Sequence, residues 1–206
     1  MYKVFVNDKP LFLTNVIEKE TDFQLFLLEA VDIKDIIVKL YKNKIQKCFL
    51  YHADEEKLLK SLKAKIPKEK AGGGFVTNHK GEILMIFRNG KWDLPKGGQE
   101  KKEKMRQTAL REVEEETGIC NLKIMEKLST TYHVFKRNGR YKLKITQWYW
   151  MHSSYVGEPI AQTEEGIEQV KWVPVHQLDS YLDNSYQNIL LIFEEMLSKL
   201  SLMKTN

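Results

Sequence analysis

Three carboxylates near the middle of the chain, Glu112, Glu115 and Glu116, stand at i, i+3 and i+4. On a helix that spacing projects all three from one face. Ala109, Leu110 and Val113 give such a helix a buried side, and Gly118 follows its last polar turn, where a residue with positive φ is expected. Like charges at this spacing destabilise an isolated helix by a few tenths of a kcal/mol, which a solvated face tolerates. Spacing alone therefore favours a plain acidic surface. In a cleft the same charges would need a cation or raised pKa values. Carboxylate oxygens in that number suit Mg²⁺, which takes few protein ligands and keeps waters and substrate phosphates. Mn²⁺ is the alternative metal.

The approach to the helix changes the balance. Trp92-Asp93-Leu94-Pro95-Lys96-Gly97-Gly98 leads directly into it, and glycines let backbone come close to a ligand. Gly97, Glu103, Arg111, Glu112, Val113, Glu115, Glu116, Gly118 and Ile119 together match all nine specified positions of Gly-x5-Glu-x7-Arg-Glu-aliphatic-x-Glu-Glu-x-Gly-aliphatic. With average residue usage a chance match is on the order of 10⁻⁷. The segment resembles the Nudix box. The resemblance implies an α/β/α sandwich around a mixed sheet and magnesium-dependent hydrolysis of a diphosphate linkage in a nucleoside diphosphate derivative. It implies that Glu112, Glu115, Glu116 and the Gly97 carbonyl hold the metal, that Glu103 reaches the same cluster or binds through water, and that Arg111 orients the box through salt bridges. The general base would be a box glutamate or a loop residue, for which Glu164, Glu165 and Glu168 are candidates. Lys101-Lys102 stands where many members have Pro-Gly, so the turn into the helix can differ. A non-catalytic Nudix-fold ligand-binding or regulatory protein is the alternative, although such modules tend to lose box glutamates and this chain keeps all four.

Leu94-Pro95-Lys96-Gly97 is similar to members acting on dinucleoside polyphosphates or diphosphoinositol polyphosphates, with Lys96, Lys142 and Lys144 available for the additional phosphate charge. His133 is a further candidate phosphate contact. Tyr132, Phe135, Trp148, Tyr149 and Trp150 could offer a stacking face for a nucleobase. Trp148 and Trp150 share one strand face while Tyr149 points to the other, so at least one face must be core.

The elements that must position these groups fall into two regions. Residues 1–65 read as a small α/β domain. Tyr2–Val6 and Leu11–Thr14 flank Asn7-Asp8-Lys9-Pro10 as a hairpin, and Phe23–Leu28 is a third apolar run. Asp32 caps an Ile33, Ile36, Ile37, Leu40 stripe, Ile45–Tyr51 is a strand, and Asp54 precedes a helix through Leu58, Leu59 and Leu62. The charged stretch around Pro67 reads as a linker over 66–71, and 72–206 as the Nudix domain. There, strands are expected at 74–77, 83–88, 122–128, 131–135, 142–151 and 170–173, and helices at 102–117 and 185–200.

The chain has 206 residues, 42% hydrophobic, with 33 basic and 28 acidic residues for a net charge of +5, which accords with a small phosphorylated substrate. Residues 1–65 carry too weak a basic excess to predict nucleic-acid binding; substrate gating or homodimerisation is an equal expectation. Cys48 and Cys120 stand alone among apolar neighbours and read as small buried hydrophobes rather than zinc ligands. No apolar run approaches the length of a membrane span, and a soluble cytoplasmic protein is expected.

Overall fold

A computed structural model of the chain describes residues 1–17 and 25–204, which form two compact units. The first unit contains Met1–Glu69 and Tyr132–Ile145; the second contains Lys70–Thr131 and Thr146–Asn206.

In the first unit, β1 (Tyr2–Val6) and β2 (Lys9–Thr14) pair antiparallel, with Val6 opposite Lys9. Asn7 and Asp8 make the two-residue turn with φ of 49° and 62°, the positive values a tight hairpin requires. Of the run Phe23–Leu28, Phe23 lies outside the described residues, and Leu25–Leu27 form β3. Helix α1 (Ile33–Tyr41) starts at Asp32, whose carboxylate accepts the Lys34 N–H at 2.9 Å. Strand β4 (Cys48–Tyr51) lies parallel to both β2 and β3. Helix α2 (Glu55–Lys65) starts at Asp54, which caps Glu56 N–H at 3.0 Å. Ile33, Ile36, Ile37 and Leu40 of α1 and Leu58 and Leu62 of α2 close a core over Val4, Leu11, Leu13 and Leu50.

In the second unit, β5 (Lys68–Thr77), β6 (Ile83–Arg88) and β11 (Ile167–Val173) pair with the near ends of β9 (Leu122–Arg137) and β10 (Arg140–Ser153) in the order β11-β6-β5-β10-β9. Short strands β7 (Lys91–Asp93) and β8 (Lys96–Gly98) pair with β6 and β5. The two sheet faces are covered separately. Phe75, Met85 and Trp148 pack under α5 (Gln187–Lys204) and α4 (Leu178–Leu182), whereas Val76, Leu84 and Tyr149 pack under α3 (Met105–Thr117). Adjacent residues point to opposite faces because the strand period is two. The expected α/β/α sandwich around a mixed sheet is what forms.

Two boundaries differ from expectation. The stretch read as a linker carries no loop of that length: Lys65 ends α2 and Lys68 begins β5. Its charges decorate a strand whose backbone is engaged, Pro67 O accepting from Leu143 N at 2.8 Å and Lys70 O from Gln99 N at 3.0 Å. Nor is the second unit continuous from residue 72. The β9–β10 hairpin, turned at Asn138-Gly139 with φ of 50° and 75°, places its far end in the first unit, where Val4 pairs with Tyr132. Periodicity marks a strand without saying which strands it pairs with.

Candidate functional site

The site grows from α3 and β8, which are brought together by absent side chains. A Cβ at Gly72 of β5 would stand 2.8 Å from the Ala109 backbone nitrogen, so only glycine lets α3 approach that strand. A Cβ at Gly97 would stand 1.7 Å from Glu112 Oε2; that carboxylate fills the space the glycine leaves. The helix ends at Gly118 with φ of 67°, its N–H returning to Glu114 O at 2.8 Å. The helix begins only at Met105, because Lys102 takes a positive φ of 68°.

The three glutamates do not share one environment. Glu116 is fully buried, accepting the Lys96 N–H at 2.8 Å and Arg88 Nη1 at 3.2 Å. Burial pushes its pKa up to about 7 against the pull of Lys96 and Arg88. Glu112 is buried as well, and burial raises its pKa while Arg111 opposes the rise. Glu115 sits at the exposed rim. Arg111 ties the set together. Its Nη1 donates to Glu112 Oε1 at 2.8 Å and Glu115 Oε2 at 2.7 Å, its Nε to Glu103 Oε1 at 2.9 Å, and its Nη2 to Gly98 O at 3.0 Å. The expected orienting role of Arg111 accords with this geometry.

Glu103 is a fastener of the turn rather than a member of the acidic face. It accepts from Arg111, from Thr108 Oγ1 at 2.7 Å and from Glu100 N at 3.1 Å, and these bonds, the Arg111 one foremost, hold its pKa down to about 2.

Among the described residues, no group of three or more His, Cys, Asp or Glu side chains is gathered at one ion position. The guanidinium of Arg111 is the cation that Glu112 and Glu115 meet. It engages one oxygen of each, leaving Glu112 Oε2 against Gly97. The donor set still fits a hard divalent ion. Two buried carboxylates are raised in pKa by desolvation, which a cation would reverse. Among the described residues, Gln162 Oε1 is buried without a hydrogen-bond partner, while the Gln162 backbone N–H reaches the Glu116 backbone carbonyl at 3.3 Å. Glu112, Glu115, Glu116 and Gly97 are the residues that would hold the ion.

Sequence reasoning missed the charges behind Glu116. Arg88, at the end of β6, also stands 3.9 Å from Glu165 Oε2, which brings that loop glutamate beside the acidic face. Among the described residues, Arg88 pairs with neither Glu164 nor Glu168. Asp93 is buried, accepts the Leu94 N–H at 2.8 Å and pairs with Lys96 Nζ. Two acids and two bases thus share one buried cluster, which the Asp93-x-x-Lys96 spacing could have suggested.

Several of the other expected residues are engaged by neighbours of their own. Lys96, read as a phosphate ligand, is buried against Asp93, because its side chain turns inward to neutralise that carboxylate. Tyr132, His133, Phe135, Lys142 and Lys144 belong to the first unit, and the acidic cluster is built without them. There Tyr132 meets Tyr2 edge-on, His133 stacks near Phe135, Lys144 covers Phe135, and Lys142 pairs with Glu69. Trp148 and Tyr149 are both core, so neither offers a stacking face; Trp148 Nε1 donates to Thr131 Oγ1 at 2.8 Å. Trp150 is half-buried and donates to Thr77.

A family model described as the NUDIX domain matches residues 67–191. A putative mutator protein MutT4 of Mycobacterium tuberculosis is 34% identical over 110 residues, covering 53% of this chain and 43% of that protein. The chain thus spans less than half of that relative. An RNA pyrophosphohydrolase of Roseobacter denitrificans is 30% identical over 132 residues, covering 56% of this chain and 82% of that protein. Among solved structures, a MutT protein from Methanosarcina mazei superposes with a TM-score of 0.51 at 20% identity, covering 66% of this chain and 96% of that one. The NUDIX domain of Shewanella oneidensis NrtR, complexed with ADP ribose, gives 0.51 at 21% identity, covering 71% and 99%. These two structural likenesses establish the fold.

Proposed function

The chain belongs to the NUDIX domain family, and on that premise we propose that it is a pyrophosphohydrolase that uses Mg²⁺ to split a diphosphate linkage in a nucleoside diphosphate derivative. The observation that carries this reading is the pair of buried carboxylates, Glu112 and Glu116, packed against the glycine-bearing strand β8. A bound divalent ion supplies charge neutralisation for the diphosphate oxygens and for the charge that develops at phosphorus. The protein's own groups do the rest by positioning. Arg111 sets the rotamers of Glu112 and Glu115 from one guanidinium. Arg88 orients Glu116 and stands beside Glu165, which is the loop residue best placed to take the proton of an attacking water. Attack at one phosphorus breaks its bond to the bridging oxygen and releases two phosphorylated products.

Dinucleoside polyphosphates and diphosphoinositol polyphosphates are the finer substrate readings. With Lys96 and Lys142 engaged by Asp93 and Glu69, the general nucleoside diphosphate class is better supported. The test is a screen of nucleotide sugars, ADP-ribose, dinucleoside polyphosphates, nucleoside triphosphates, triphosphorylated RNA and diphosphoinositols with Mg²⁺, with products identified. Glu116→Gln should retain the fold and lose roughly 10²-fold or more in turnover. Saturable binding of these compounds with no product from any of them would favour the non-catalytic alternative. Undiminished turnover in Glu116→Gln would remove this carboxylate from the mechanism.

A further inference from the structure

The first unit holds a pocket of about 480 Å³, within the range of small-ligand sites. It lies among the start of α1, the end of α2 and the turn of the β9–β10 hairpin. Its cationic lining is Lys34, Lys65 and Arg140; its apolar lining is Ile37, Ile66, Pro67 and the ring of Tyr141.

The cations lack counter-charges among the described residues. Lys65 Nζ is held by two neutral groups, the carbonyls of Glu29 at 3.0 Å and Val31 at 3.1 Å, which fix the ammonium without cancelling it. Among the described residues, neither Lys34 nor Arg140 makes an ion pair with an acidic side chain. Among the described residues, none of Glu29, Asp32, Asp35 and Glu69 makes an ion pair with the three cations. Asp32 caps the Lys34 backbone N–H, Asp35 pairs with Lys39, Glu29 with His52, and Glu69 with Lys142 and Arg137. Three like charges around one concavity repel each other, and an anion relieves that repulsion. The apolar side is built into the fold. Ile37 and Ile66 are core residues, and Tyr141 is steadied by Tyr41 at 5.6 Å and by Lys136 over its ring at 5.9 Å.

We infer that this pocket binds a small phosphorylated ligand with a flat apolar body, the class to which a mononucleotide belongs. Phosphate meets Arg140, Lys34 and Lys65, and the flat body lies along Ile66, Pro67 and Tyr141. The inference does not rest on the catalytic reading, since every residue it uses belongs to the first unit and none to the acidic helix.

The test titrates AMP into the full chain without added metal and follows the backbone amide resonances of Ile66 and Gly139, which report this pocket. Saturable shifts with a Kd of about a millimolar or below are expected. The Lys34→Ala/Arg140→Ala variant should weaken them at least about tenfold, the scale of losing charge-assisted hydrogen bonds to a phosphate, with hydrolysis unchanged. Both side chains are exposed, so the fold should persist; if the double variant does not fold, Arg140→Ala alone carries the comparison. Absence of saturable shifts, or equal shifts in the variant, would overturn the site. Adenosine and inorganic phosphate, titrated separately, should each bind more weakly than AMP, and parity of phosphate with AMP would refute the flat-body requirement. A single-stranded RNA decamer that binds these residues about tenfold tighter than AMP, with a steep salt dependence, would overturn the small-ligand reading in favour of a strand.

Discussion

Glu116 is shut away from solvent, and its burial sets how it titrates. Its folded-state pKa is raised to about 7, whereas the exposed group titrates near 4.5. Between those values the unfolded chain is ionised and the folded one holds the proton. The group therefore favours folding at low pH, and that contribution is lost as pH rises through about 7. A divalent cation must displace the same proton, so Mg²⁺ should raise the melting temperature of the metal-free protein more at about pH 8 than at about pH 6. Glu116→Gln should flatten the difference; an equal Mg²⁺ effect at both pH values in the wild type would show that this carboxylate is not a ligand. The second residue-scale prediction concerns Gly97, whose Cβ would stand 1.7 Å from Glu112 Oε2. Gly97→Ala should push Glu112 from its place and lower turnover by roughly 10²-fold, with only a small change in melting temperature. Activity within twofold of wild type would mean that Glu112 does not need that position.

At the scale of the element, α3 depends on the turn before it. Glu103 links the turn to the helix through Arg111, Thr108 and the Glu100 N–H, so the helix and its entry loop behave as one fastened piece. Its pKa lies near 2, below the ordinary carboxylate value of 4.5. A depressed carboxylate contributes stability above its unfolded pKa and loses it as pH falls toward the folded one. Acid titration of unfolding free energy should therefore show a loss between about pH 4.5 and about pH 2 that is smaller in Glu103→Gln. Parallel curves for the two proteins would show that this fastener adds nothing. The positive φ at Lys102 explains why the helix starts three residues later than the acidic pattern alone implies. The Lys101-Lys102 departure from the usual Pro-Gly thus falls in a turn, where one residue must adopt a left-handed conformation.

The molecule as a whole sorts its two thiols. Both cysteines were expected to be buried, but Cys120 is exposed at the end of the helix turn, whereas Cys48 lies in the first unit's core. Burial pushes the Cys48 thiol up to about 12, which suppresses the thiolate that reagents attack. Native protein should react with one equivalent of a thiol reagent rapidly, and with the second only when the first unit opens. Fast modification of both sulfurs without denaturant would contradict the closed core. An apolar neighbourhood in sequence could not separate them, because Cys120 sits between a helix cap and a strand start, where Ile119 turns inward while Cys120 and Asn121 face solvent.

Local order was legible wherever one residue type has one physical use. Asp32 and Asp54 announced helix starts, the Ile33–Leu40 stripe announced a buried face, Gly118 announced a left-handed stop, and the spacing from Gly97 to Ile119 announced the chemistry. These depend on contacts a few residues apart, and the chain carries them in its own periodicity. Partnership at a distance was not legible. That Glu116 would meet Arg88, that Lys96 would turn inward to Asp93, and that the far end of the β9–β10 hairpin would join the first unit all depend on segments separated by many residues. A lysine or a β-strand reads the same before and after it finds its partner. Only the packed chain decides which charge is desolvated and which stays in water.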